Sequence, residues 1–129
     1  MHFAYKIGAV ILFGSFQRQD KQHSGDIDIA VEFIPKETVG TEAWNKLIHS
    51  RWDLASQQGR RFPNIVERYC WDEEEVRRFL KNRSRAISIH DLTREIPKMK
   101  IDPSTPFTYT VLRGDPKHIE EVVANLTRV

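Results

Sequence analysis

The sequence predicts an α/β fold: a small mixed sheet flanked by helices, with a C-terminal strand–helix extension. Three observations predict it. Two apolar runs of strand length, residues 7–13 and 27–33, bracket a polar connection. Apolar residues at three- and four-residue steps then mark a helix over residues 41–58. Short alternating segments, residues 86–90 and 107–112, read as further strands. With 129 residues, 40% hydrophobic and 29% charged, the chain has the length and composition of one globular domain with a real core.

The first apolar run, residues 7–13, ends abruptly at Gly14-Ser15. Residues 1–6 are too few to form a helix ahead of it. Gly14 permits a close backbone approach to an anion, and Ser15 adds a hydroxyl donor. The second run opens with Asp26-Ile27-Asp28. Side chains at i and i+2 of a strand leave on one face, so Asp26 and Asp28 converge there, and Ile27 and Ile29 are expected to be buried on the other. Two converging carboxylates repel unless a cation lies between them, and hard oxygen ligands suit magnesium. A metal-bound triphosphate is the expected occupant.

Gly14-Ser15, ten residues, then Asp26-x-Asp28 resembles the signature of the DNA polymerase beta-like nucleotidyltransferase superfamily, and more closely that of the minimal nucleotidyltransferase (MNT) proteins. The MNT loop carries an Arg three places after the Ser and a Ser shortly before the first Asp; Arg18 and Ser24 stand there. The resemblance covers residues 7–33 well and the chain to Leu92 more loosely. It implies a nucleotidyltransferase-like domain over residues 1–92, with residues 93–129 as an extension packing on it. The family has a helix before the first strand, which residues 1–6 are not expected to form.

Past Phe33, Pro35 and Gly40 mark a loop. Thr41 is the expected N-cap of a helix whose stripe is Trp44, Leu47, Ile48, Trp52 and Ala55, closed by Gly59. Ile65 to Trp71 reads as a strand. Polymerase-like sites need a third carboxylate on a neighbouring strand, both as ligand and as base for the attacking hydroxyl. Asn64 and Glu67 compete for that place. An amide binds metal weakly and cannot act as a base, so Glu67 is the preferred residue; in a regular strand it points opposite to Asn64.

Asp72 is the expected cap of a second helix, acidic at its start and basic from Arg77 to Arg85, with Val76, Phe79 and Leu80 buried. The basic run reads as a solvated helix end. Residues 98–106 form a Pro-punctuated linker. Residues 107–112 form a strand, and residues 116–127 a helix with Ile119, Val122, Val123 and Leu126 on one stripe. This strand and helix are expected to cover the sheet face that the family's first helix would occupy, with a dimer contact as the other use.

The formal charge of +2 is too small to argue for a nucleic-acid partner on electrostatic grounds. One cysteine, Cys70, excludes an internal disulfide and a cysteine-based zinc site. The five histidines are scattered, His23 alone falling in the nucleotide loop. No apolar run approaches a membrane span, the opening stretch lacks a signal-peptide cleavage site, and a reducing cytoplasm is the expected compartment.

The resemblance implies transfer of a nucleoside monophosphate, AMP from ATP, to a hydroxyl. Asp26, Asp28 and Glu67 would hold magnesium and serve catalysis, while Gly14, Ser15, Arg18 and Ser24 would bind the nucleotide. The implied acceptor is a Tyr of a helical HEPN-type toxin, with this chain as antitoxin, or a small molecule. The alternative is a catalytically degenerate module of the same fold that neutralises a partner by covering it.

Overall fold

Strand β1 (Tyr5–Phe13) alternates buried and more exposed side chains, and Ala9, Ile11 and Phe13 are its buried set. The structure, a computed structural model, describes residues 3–13, 27–98, 100–101, 107–124 and 127–128, of which 100–101 and 127–128 by backbone alone. Gly14, Ser15, Arg18, His23, Ser24 and Asp26 lie outside the described residues. The elements after β1 are β2 (Ile27–Pro35), α1 (Glu42–Gln57), α2 (Ile65–Lys81), β3 (Ile87–Asp91), a 3₁₀ turn (Ile96–Lys98), β4 (Lys100–Ile101), β5 (Tyr109–Arg113), α3 (Pro116–Val123) and β6 (Thr127–Arg128). The fold is mixed α/β, as expected.

A four-stranded sheet runs in the order β3-β2-β1-β5, with β2 parallel to β3 and β1 antiparallel to β5. β4 and β6 pair separately, in parallel. The chain forms two compact units, residues 1–6 with 34–82 and residues 7–33 with 83–129. The extension from residue 93 therefore shares a unit with β3 and most of β1 and β2.

The sheet unit has its core on one face. Ala9, Ile11 and Phe13 of β1 and Ala30 of β2 pack with Leu92, Ile96 and Ile119, and Phe107, Tyr109, Val122 and Val123 lie against them. Full burial of a side chain such as Ile119 contributes roughly 2 kcal/mol. Helix α3 delivers it: Asp115 caps the helix by accepting from the Lys117 N–H at 3.0 Å, and Pro116 starts it with a preset φ. α3 thus packs on a sheet face, whereas β5, expected to cover that face with it, joins the sheet beside β1. The helix ends at Val123, short of Thr127, which pairs in β6.

The helical unit is held by aromatics. Trp44, Ile48, Trp52 and Ala55 form the predicted stripe of α1 and pack with Ala4 and Trp71. Thr41 Oγ1 caps α1 by accepting from the Trp44 N–H at 3.2 Å. Arg51 and Glu75 join α1 to α2 at 2.7 Å, and both side chains are largely buried.

Residues 65–71 are helix, not strand. Asn64 caps α2, its Oδ1 accepting from the Glu67 N–H at 2.9 Å, so Glu67 lies in the first helical turn and is exposed. Asp72 is consequently no cap; it is buried mid-helix, where Tyr5 Oη donates to its Oδ2 at 3.2 Å. β-branched and aromatic residues suggested a strand. The Asn64-x-x-Glu67 spacing, a capping signal followed by a helix-long segment, outweighs them.

Gly114 links β5 to α3 with a φ of +110°, and a Cβ placed there would lie 2.8 Å from Ala9 Cα. Gly114→Ala is expected to cost about 1–3 kcal/mol, from the left-handed backbone and the overpacking together. Denaturant unfolding of the variant checks this, and parent-like stability would show that the end of β5 moves freely off β1.

Candidate functional site

Asp28, Ala30 and Glu32 share one face of β2, and the register Asp28↔Ser88 and Ala30↔His90 places Ser88 and His90 of β3 on it as well. This face is covered at Asp28 and Ala30, and the opposite face is covered further along the strand, at Val31 and Phe33. Asp28 is fully buried, whereas Ile27 is 46% exposed and Ile29 is only half-buried. At the start of β2 the expected sidedness is therefore reversed, because the core built by Ala9, Ile11, Phe13 and Ile119 lies on the acid's side of the sheet.

A buried carboxylate persists only when paired and hydrogen-bonded. His90 supplies the pairing: its Nε2 lies 3.0 Å from Asp28 Oδ1. The ring is opposite the small Ala30, whose methyl leaves it room to lean toward Asp28. On its other side His90 Nδ1 lies 3.1 Å from Glu95 Oε2. Both ring nitrogens of His90 are thus within hydrogen-bond distance of a carboxylate oxygen.

A turn holds Glu95 in place. Asp91, itself buried, accepts at Oδ1 from Thr93 N–H, Thr93 Oγ1 and Arg94 N–H at 2.9–3.0 Å, and Arg94 Nε donates to its Oδ2 at 2.8 Å. The Glu95 N–H donates to the Asp91 carbonyl at 2.9 Å, which closes the turn and returns the Glu95 carboxylate to His90.

Phe13 completes the corner. It is the last residue of β1, immediately before Gly14, and its ring centroid lies 5.4 Å from that of His90. The described flanks of the two motif halves thus meet at His90. Asp26, Gly14, Ser15, Arg18 and Ser24 belong to residues 14–26, outside the description.

Glu67 is not brought to this corner by a strand beside β2. That neighbour is β3, and the residue it turns toward Asp28 is His90. Sequence reasoning missed His90 because its five histidines are scattered; the signal was its place in a short alternating segment that pairs in parallel with β2. Among the described residues no group of three or more His, Cys, Asp or Glu side chains is arranged to hold a metal ion. Asp28 contributes one hard carboxylate, and the second expected ligand, Asp26, lies among the residues not described.

Further along β2, Glu32 accepts from the Ala9 N–H at 3.1 Å and from His118 Nε2 of α3 at 2.7 Å. The hydrogen bond to Glu32, with its negative charge, raises the His118 pKa above 6.5. Among the described residues no helix is long and apolar enough to cross a membrane. In comparisons with protein-family models, curated proteins and solved structures, nothing matches this chain.

Two outcomes are expected. Asp28→Ala, which leaves His90 and Glu95 facing a cavity, should destabilise the chain by about 3 kcal/mol, and Asp28→Asn by less because its carbonyl oxygen can still accept; urea unfolding of the two variants measures this. The raised His118 pKa means that the folded chain binds this proton more tightly than the unfolded chain. The Glu32–His118 contribution is therefore complete below the unfolded value and lost as pH rises through the folded one. Thermal melts of the parent and His118→Ala between about pH 5 and 9 should differ most at the acid end and converge at the alkaline end.

Proposed function

We propose that this chain binds a nucleoside triphosphate, ATP by its resemblance to the MNT proteins, and transfers the nucleoside monophosphate to a hydroxyl acceptor. One observation supports the reading above others. Phe13, the residue before Gly14, packs on His90, which in turn is bonded to Asp28 of the Asp26-x-Asp28 motif, so the described residues nearest the two halves of the signature share one corner of the sheet.

In this reading Gly14, Ser15, Arg18 and Ser24 bind the phosphates, with main-chain N–H groups and the Arg18 charge offsetting the anion. Asp26 and Asp28 hold magnesium, which when bound neutralises the charge of the triphosphate. Phosphoryl transfer is chiefly a matter of positioning and electrostatic stabilisation, and a rigid strand pair suits that role. The acceptor implied by the resemblance is a tyrosine of a HEPN-type toxin, with a small-molecule hydroxyl as the other class.

The Asp28–His90 contact favours a second reading. A third carboxylate would be expected on the strand beside Asp28, and β3 presents a histidine that occupies Asp28 Oδ1. A metal ion there would have to compete with this bond. A fold retained for covering a partner, with its chemistry lost, accounts for that substitution.

Calorimetry separates the readings: ATP titrated with and without magnesium into the parent and into Asp26→Asn/Asp28→Asn, with circular dichroism confirming that the variant is folded. Magnesium-dependent binding in the parent, weakened by about a hundredfold or more in the variant, is the expected outcome for a metal held by two carboxylates. Absence of ATP binding in the parent would reject the transferase. If neutralisation of a partner also survived the double substitution, the covering module would stand.

A further inference from the structure

The opening of α2 carries a surface that the nucleotide reading does not use. Residues 65–70 are all exposed, and Ile65 and Val66, each 65% exposed, and Tyr69, 60% exposed, place apolar groups in water over the first turns of the helix. Most helices turn such residues inward, so a cluster of this kind marks a contact surface.

Cations surround it. Between Gly59 and Cys70 the chain has three arginines, Arg60, Arg61 and Arg68, against one acid, Glu67. Arg60 is already engaged, lying 4.0 Å over the Trp71 ring and 3.9 Å from Glu74. Arg61 and Arg68 have no carboxylate partner among the described residues. The Arg68 guanidinium lies 4.6 Å over the Trp52 ring, against whose edge Tyr69 also packs, so stacking holds its charge in place. Beneath them the Trp52 Nε1–H is buried with no hydrogen-bond acceptor among the described residues. The exposed groups of this corner that an anionic acceptor would pair are Arg61 and Arg68.

We infer that residues 60–69 form a docking surface for an acidic, apolar segment of a partner protein: aliphatic side chains against Ile65, Val66 and Tyr69, and carboxylates against Arg61 and Arg68. Planar guanidiniums pair carboxylates well, and an aromatic–arginine cluster is the usual composition of an energetically dominant contact. A second copy docking by the same patch would set arginine against arginine, which costs rather than stabilises. Single-stranded nucleic acid is held by successive bases stacking on aromatic faces; this patch offers one exposed aromatic, Tyr69, while Ile65 and Val66 offer none and Arg68 already covers Trp52. The inference is independent of nucleotide transfer, and it supplies a contact surface for a partner under either reading of the function.

The test uses the full chain and three labelled probes followed by fluorescence anisotropy: an amphipathic peptide with leucines on one face flanked by glutamates, the same peptide with lysines for the glutamates, and single-stranded oligothymidylate. The glutamate peptide is expected to bind and the lysine peptide not. Arg61→Glu/Arg68→Glu and Ile65→Ser/Val66→Ser should each weaken the glutamate peptide by about tenfold or more. Lys46→Glu, on the exposed side of α1, should leave it unchanged. All of these positions are exposed, and circular dichroism verifies that each variant is folded. The inference is overturned if the glutamate peptide does not bind, if the lysine peptide binds equally, if neither double variant weakens binding, or if oligothymidylate binds more tightly and is lost in the same variants.

Discussion

A carboxylate with no exposure to water sits at the start of a central strand, and much of the sheet unit is arranged around keeping it there. Burying a carboxyl group is costly unless hydrogen bonds replace those it made to water. His90 provides such a bond from the neighbouring strand, Glu95 braces the far side of the ring, and Asp91 folds the turn from which Glu95 reaches back. Each link depends on the one before. Ala30 must be small for the ring to lean across it, and Phe13 must end β1 where it can close the corner.

The same unit uses a second acid differently. Glu32 accepts from a main-chain N–H of β1 and bonds a histidine on α3, and so ties the covering helix to the sheet. Asp28 and Glu32 lie on one face of one strand, four residues apart, and their partners decide their roles. One belongs to a motif-bearing corner and the other to the attachment of the helix. A carboxylate in a strand pattern is therefore not by itself a ligand.

In the helical unit arginines and aromatics substitute for a larger aliphatic core. Arg51 joins α1 to α2 through Glu75, and Arg60 and Arg68 spread over indole faces. These contacts leave the first turns of α2 supported from below and unmatched above, so stable helix and exposed apolar residues coexist there. The Asn64 cap makes this arrangement possible, because it allows the helix to begin before it reaches anything to pack on.

The sequence alone determined what depends on neighbours in the chain. The Trp44, Ile48, Trp52 and Ala55 stripe, the Thr41 cap, the apolar run of β1 and the strand–helix order of the C-terminal segment are local patterns of composition, period and capping, and the structure has all of them. The beginning of α2 was equally local, written in Asn64-x-x-Glu67, but strand-favouring residues masked it. Only the tertiary structure decided that the start of β2 buries its Asp28 face, and what stands beside Asp28. Asp28 and His90 are 62 positions apart. Period-two alternation gives two faces without saying which one a later helix will cover. That choice was made by Ile119 of α3 packing on Ala9, Ile11 and Phe13, a contact between distant segments with no local signature.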